Sequence, residues 1–374
     1  MVRRQVPLSP RSCSLALEFH LLRRLRSSVR DDTRSTIRDV ARLAGVGTTT
    51  VSRVINGGQL VAPDVRLRVE DVIRQLRYQP NLAARSLKNE RTRTVGLIVP
   101  RITDPFYATI ASVAQDICRA REHILILSTS LDMEEQELQE LRIFEQHRVD
   151  GLLIVPPKKQ SVAFQEYCHQ LRTPAVAIDL PFEQDGLASV LTDNREAMAN
   201  ATRHLIEHGR KRILCLVSDP VLYTMRERVR GYIEAITAAA LPLLVEGEIH
   251  TAAQAEQVLL FALSAPDPID AVLCANSTLV IFVYEALQKH GIRLPTQLAL
   301  IGFDDFHLAG TLRPAIANIA QPAEEIGRAA TNLLFSMMND RQQSPVHLHL
   351  PSRLIPRESC GCLTADPISS GRVV

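Results

Sequence analysis

The sequence has no tryptophan and few aromatic residues, and its other absences are more restrictive. No apolar run approaches the roughly 20 residues that a membrane span needs, so a soluble protein without a membrane partner is expected. The seven cysteines, Cys13, Cys118, Cys168, Cys215, Cys274, Cys360 and Cys362, show neither a paired disulfide framework nor zinc-like spacing. An odd count fits a reducing cytoplasm better than secretion. Cys360-Gly361-Cys362 lies in a polar C-terminal stretch without histidine partners, where a solvated tail is the plain reading.

The signatures of α/β enzymes are missing too. No GxGxxG or GxxxxGK(S/T) follows a strand, no GxSxG elbow occurs, and there is no His/Glu metal signature. His204 and His208 stand at i, i+4, but Thr202 to Arg210 places no acidic base between them, so a surface or satisfied pair is expected rather than zinc. Neither catalysis, nor a cofactor, nor a metal is expected.

What is present is a chain of 374 residues, long enough for two or three domains. Its net charge of +2 is unevenly spread. Residues 1–93 are rich in arginine with few acids, while the rest is nearly balanced. A basic end on a neutral body points to one segment that meets phosphates and another with a different task.

Within that basic end, Thr36 to Gly58 reads as two short helices about a glycine turn. Ile37, Val40, Leu43 and Ala44 fall at helical spacing, Gly45 interrupts them, and Val51, Val54 and Ile55 mark a second helix. Opposite its apolar residues the second helix carries Thr48, Thr49, Ser52 and Arg53, with Thr50 beside them. Arginine can reach guanine edges bidentately, and threonine offers a hydroxyl or a methyl. Asn56-Gly57-Gly58 ends that helix, and a third amphipathic helix is expected from about Pro63 to Leu76. Tyr78-Gln79-Pro80-Asn81-Leu82-Ala83-Ala84-Arg85-Ser86-Leu87 follows.

This ordered series resembles the DNA-binding headpiece and hinge of the LacI/GalR (lactose-repressor) family, from Thr36 to Thr94 nearly without gaps. The resemblance implies DNA contacts from Thr48, Thr49, Thr50, Ser52, Arg53 and Asn56, and from Asn81, Ala84 and Leu87 in a hinge helix. Leu87 stands where the family inserts a leucine into the minor groove, and an apolar wedge there offsets lost stacking as the duplex bends. Two departures weaken caps: Gly47 replaces a hydroxyl residue, and Ala62 replaces a serine before Pro63. Family members begin near the residue matching Thr36, so residues 1–35 are expected to be either a start-site artefact, with Val29 a candidate start, or a disordered basic arm adding phosphate affinity.

From Thr94 strands and helices alternate, which implies parallel sheets covered on both faces. By resemblance this is a periplasmic-binding-protein-like α/β core of two doubly wound parallel-sheet subdomains. Chain crossings are expected near Thr192, Phe303 and Ala320, with Pro322 to Met338 completing the first subdomain. Ligands of such sheets sit beyond the strands' carboxyl ends. Phe106, Tyr107, Asp179, Asn276 and Asp304 stand at such ends, and Arg226 and Arg228 lie early on a later helix. Aromatic faces with carboxylate, amide and guanidinium groups suit a polyhydroxylated ligand. By motif, Arg228 and Asp304 are the leading effector contacts. Leu222, where the purine-responsive member has arginine, counts against a purine. Ile249 replaces a ligand-stacking aromatic, with His250 adjacent. A sugar, sugar acid or sugar phosphate is the expected effector, with Arg226 and Arg228 as partners if it is anionic.

The domain plan is therefore residues 1–35 extension, 36–80 helix-turn-helix headpiece, 81–93 hinge and linker, 94–358 effector-binding and dimerisation core, and 359–374 flexible tail. The expected function is a cytoplasmic, sequence-specific transcription regulator, in this family most often a repressor, acting on operator DNA under a small sugar-like effector. A homodimer is the minimum unit, because a palindromic operator mirrors two-fold protein symmetry. The short tail without leucine heptads argues against a tetramer while leaving it open. The rival reading is a periplasmic-type sugar-binding transport receptor, which would need a signal peptide and have no use for Thr36 to Leu87.

Overall fold

The structure, a computed structural model, describes residues 35–55, 57–58, 60–78, 92–183, 187–340 and 344–362. The expectations for residues 1–34, for Asn56, Asn81, Ala84 and Leu87, and for residues 363–374 lie outside the described residues. The chain divides into two units, Met1–Glu90 and Arg91–Val374.

In the first unit, α1 (Ile37–Ala44) opens on a reciprocal cap. Thr36 Oγ1 accepts from the Asp39 amide at 3.4 Å, while the Thr36 amide donates to Asp39 Oδ2 at 3.0 Å. Both bonds satisfy amides that a helix start leaves orphaned. Gly45, at φ +67°, ends the helix in a left-handed conformation that glycine adopts without strain, and α2 (Thr48–Ile55) follows. In α3 (Pro63–Gln75) Ala62 provides no side-chain cap, but Pro63 at the first position has no amide to satisfy. Val40, Ala41, Ala44, Val51, Val54, Val69 and Val72 form the buried core. Leu43, expected on the apolar face, is 57% exposed. The stripe that starts at Ile37 runs through i+3, i+4 and i+7, so Ala41 rather than Leu43 faces inward.

The second unit contains two six-stranded sheets. Its first lobe runs β1 (Thr94–Val99), α4 (Pro105–Ala120), β2 (Ile124–Thr129), α5 (Glu134–Gln146), β3 (Gly151–Ile154), α6 (Val162–Gln170), β4 (Ala175–Ile178) and β5 (Ala188–Thr192). Its second lobe runs α7 (Asn194–Glu207), β6 (Ile213–Leu216), α8 (Tyr223–Ala238), β7 (Leu244–Glu246), α9 (Ala252–Leu263), β8 (Ala271–Cys274), α10 (Ser277–Lys289), β9 (Ala299–Phe303) and β10 (Ala317–Ala320). The chain then returns with α11 (Ala323–Asn339) and β11 (His347–Leu350) to the first lobe, and with β12 (Arg353–Ile355) to the second.

Strand order is β11-β5-β4-β3-β1-β2 in one sheet and β12-β10-β9-β8-β6-β7 in the other. Every described pairing is parallel except β10 with β12. Strands such as β3, β4 and β8 are buried throughout because helices cover both faces, which is why they read as unbroken apolar runs.

The crossings between lobes fall after Thr192, after Ala320 and between Leu350 and Arg353. A crossing near Phe303 does not occur: β9 and β10 pair as neighbours in the same sheet. The loop between them is long and polar enough to read as an exit in sequence, but Ile316 and Ala309 bury it against the second lobe. The C-terminal segment also departs from expectation. Glu358–Cys360 forms a 3-10 turn in which Ser359 and Cys360 are fully buried, so residues 359–360 belong to the core rather than to a tail.

Candidate functional site

On α2 the period of the helix separates two faces. Val51 and Val54 are buried, whereas Thr48, Thr49 and Arg53 are exposed and Thr50 and Ser52 are half-buried. The helix end is fixed by the Gly58 amide, which donates to the Arg53 carbonyl at 2.9 Å, and by Arg66 Nη2, which donates to the Gly58 carbonyl at 2.5 Å. A short helix held this firmly presents its polar side chains as a fixed set, as groove reading requires.

In the second unit a cleft of about 580 Å³ opens between the two lobes at the carboxyl ends of their strands. It is lined by Phe106, Tyr107, Asp179, Arg228, Asn276 and Asp304, six of the seven cleft residues expected from sequence. Arg226 is not brought there. It is exposed, with its guanidinium 5.8 Å from the Tyr223 ring, because two residues along a helix rotate a side chain to the far side from Arg228.

Each lining group is held by named partners. Asp104 caps α4 by accepting from the Phe106 amide at 2.9 Å, which sets Phe106 and Tyr107 edge to face with ring centroids 5.2 Å apart. Tyr107 donates its hydroxyl to Asp179 Oδ2 at 2.9 Å. Asn276 caps α10 through the Leu279 amide and donates to Ser218 Oγ at 2.9 Å. Arg228, itself buried, donates from Nε to Asn194 Oδ1 at 2.8 Å and from Nη1 to the Ala275 carbonyl at 2.6 Å.

Asp179 and Asp304 occupy equivalent places in the two lobes. Each follows a strand, β4 or β9, and each takes a left-handed backbone, φ +66° and +71°. Aspartate is among the few side chains that tolerate this angle, and the turn swings both carboxyls into the cleft. Burial pushes the Asp179 carboxyl up to about 6 against the pull of the Arg228 guanidinium and of the Tyr107 hydrogen bond. Burial also pulls Arg228 down, while the charges of Asp304 and Asp179 push it back up.

Sequence reading missed Gln321. It sits just after β10, accepts from Thr192 Oγ1 at 2.5 Å and donates to Asp304 Oδ1 at 2.6 Å. It therefore ties the two lobe crossings at Thr192 and Ala320 to a cleft carboxylate. Thr224, Met225 and Phe306 also line the cleft, and their only sequence signal was proximity to strand ends. Asp305 also lines the cleft, but its carboxylate is engaged in a bidentate pair with Arg357, 2.6 and 2.9 Å. Ile249 is buried in the second lobe and lines a separate cavity, so it does not stand in for a ligand-stacking residue. His204 and His208, expected as a surface or satisfied pair, meet Cys360 and Cys362, which were expected to have no histidine partners.

Comparison with known proteins agrees with both halves. Residues 36–81 match the family of bacterial regulatory proteins described as the lacI family, and residues 202–360 match a periplasmic binding protein-like domain. The chain is 31% identical over 331 residues to the ribose operon repressor of Haemophilus influenzae, covering 87% of this chain and 98% of that one. It is 30% identical over 337 residues to the HTH-type transcriptional repressor PurR of Vibrio cholerae, covering 88% and 99%. A solved complex of the transcriptional regulator CelR with cellobiose matches with a TM-score of 0.65 at 30% identity, over 87% of this chain and all of that one. The lac repressor dimer bound to operator shares the fold, with a TM-score of 0.79 at 22% identity over 88% and 99%.

Proposed function

Because the chain belongs to the LacI family of bacterial regulatory proteins, we propose that it is a sequence-specific transcriptional repressor whose operator affinity is set by a small sugar-like effector. The observation that carries this reading is the pairing, in one chain, of the exposed Thr49 and Arg53 face of α2 with a ligand-sized cleft floored by Arg228. Such a protein binds DNA and a small molecule and turns neither over. A transport receptor would have no use for the helix pair.

The effector is a neutral polyhydroxylated molecule. Arg228 is the one guanidinium lining the cleft among the described residues, and the carboxylates of Asp104, Asp179 and Asp304 surround it. This balance repels an anion and offers paired acceptors to hydroxyls, with Phe106 and Phe306 for its C–H faces. Thr48, Thr49, Thr50, Ser52 and Arg53 read the operator, together with Asn56 and the hinge residues Asn81, Ala84 and Leu87. The working unit is a homodimer in the cytoplasm. The edge strand β2 exposes Ile124, Ile126 and Leu127, an apolar edge that a second copy would cover. The effector alters the angle between lobes, and the change reaches the hinges of the two protomers. By reciprocity, operator weakens an inducer by the same factor.

The test is a thermal-shift panel of sugars, sugar acids, sugar phosphates and nucleobases, followed by operator binding with and without the hit. A shift from neutral sugars alone, lost in Arg228→Ala, is expected. A shift from anions only would overturn the neutral-ligand reading. For the DNA half, Arg53→Ala is expected to relax discrimination at one operator position, and Leu87→Ala to weaken specific binding with little change in nonspecific binding. Equal loss on all sequences in both variants would contradict these roles.

A further inference from the structure

The C-terminal end of α7 and the last described residues come together in a second group of reactive side chains, about which the effector cleft says nothing. His204 and His208 lie one turn apart, ring centroids 4.3 Å, on one face of the segment from α7 into its cap. Cys362 Sγ lies 3.3 Å from His208 Nε2 and 3.6 Å from His204 Nε2. Cys360 Sγ lies 3.3 Å from His204 Nε2. Among the described residues, His204, His208 and Cys362 are the one set of three such donors whose ligating atoms all fall within 4.8 Å of one another.

We propose that His204, His208 and Cys362 form a three-donor binding site for a zinc-like divalent metal ion, with the fourth position open to water. Three features carry it. The first is spacing: bonds of about 2.0–2.1 Å to nitrogen and 2.3 Å to sulfur in a tetrahedron place neighbouring donors about 3.5 Å apart, and the separations above match. The second is orientation. His208 Nδ1 lies 2.9 Å from the His204 carbonyl, which can only accept, so Nδ1 carries the proton and Nε2 keeps its lone pair for the ion. Histidine ligands in metal sites are commonly oriented through such a bond.

The third feature is rigidity. Ser359 Oγ donates to the Leu300 carbonyl at 2.6 Å and accepts from the Ala317 amide at 2.8 Å, locking the turn into the second lobe. Gly361 then takes φ +101°, an angle that glycine alone adopts readily, and folds Cys362 back over the histidines. His208 is exposed and Cys362 half-exposed, so an ion can enter from solvent. Binding replaces the Cys362 S–H bond with a metal–sulfur bond and releases the proton to water. The ion would staple the segment after Arg357, which already grips Asp305, to α7, the helix whose Asn194 holds Arg228.

The test uses the untagged full-length chain, reduced with a phosphine and freed of the phosphine. Titration with zinc against a colorimetric chelator is expected to give one ion per chain with proton release. Cobalt is expected to give a thiolate-to-cobalt charge-transfer band with the intense visible bands of a tetrahedral ion. Cys362→Ser and His208→Ala, both at accessible positions, are each expected to lose the band and more than about tenfold in affinity. His250→Ala, on the exposed surface, is expected to keep both. No stoichiometric uptake by the reduced chain overturns the proposal, as does unchanged uptake in the two variants. A mass lower by two hydrogens that survives reduction would assign Cys360 and Cys362 to a disulfide and overturn it as well.

Discussion

The guanidinium carbon of Arg228 lies 3.5 Å from the centroid of the Phe303 ring. A buried cation over an aromatic face is held electrostatically as well as by packing, and Asn194 and the Ala275 carbonyl fix its other edges. These contacts leave Nη2 for a ligand hydroxyl. Arg228→Ala is expected to abolish the effector-induced rise in melting temperature while operator binding in the absence of effector is retained. Arg228→Lys is expected to recover little, because an ammonium has neither the planar stack nor the forked donors. Loss of operator binding in both would mean that Arg228 holds the fold rather than the ligand.

Gln321 offers a separate handle on coupling. It joins Thr192, at one lobe crossing, to Asp304 in the cleft. Gln321→Ala removes two hydrogen bonds worth about 1 kcal/mol each. Effector affinity is expected to fall by about five- to thirtyfold, and the effector's influence on operator affinity is expected to fall with it, as read by titrations of each ligand in the presence of the other. An unchanged coupling factor would confine Gln321 to positioning Asp304.

Glu137 on α5 has a pH signature. It is fully buried beside Ser130, and burial, helped by the charges of Asp132 and Glu134, pushes its carboxyl from the ordinary 4.5 up to about 9. The unfolded chain therefore loses this proton at a lower pH than the folded one. The stability it contributes is complete below about pH 4.5 and declines as pH rises towards 9. Glu137→Gln is expected to stabilise the protein by about 2 kcal/mol at pH 8 and to flatten that slope, measured by denaturant unfolding across pH. An equal slope in the variant would remove Glu137 as its source.

At Gly231 the backbone of α8 comes close to that of α7. A Cβ there would stand 2.0 Å from the Arg195 carbonyl oxygen, in backbone that cannot yield without moving a helix. Gly231→Ala is expected to cost about 2–3 kcal/mol in unfolding experiments and to weaken effector binding by shifting Arg228, one turn earlier on α8. A neutral effect would show that the two helices part easily.

Legibility in the sequence followed the range of the interactions. The three headpiece helices were readable because caps, glycine turns and apolar stripes act within a few residues, and the one slip, Leu43, was a choice between adjacent faces of one helix. Strand ends could be read from apolar runs, which located Asp179, Asn276 and Asp304. Motif set Arg228 ahead of Arg226, and the helical period, which turns side chains two residues apart to different sides, accounts for the absence of Arg226 from the cleft. Gln321 carried no motif, since its meaning is a contact with Thr192 across 129 residues.

The sequence alone determined the kinds of element, their order, the family resemblance and the residue types available at each strand end, because these depend on local periodicity and turn chemistry. Only the tertiary structure decided which sheet each late strand joins, that Gln321 links Thr192 to Asp304, and that His204 and His208 meet Cys360 and Cys362. Those outcomes depend on loop closure over more than a hundred residues and on how buried helices pack. Nothing in the spacing of residues along the chain encodes them directly.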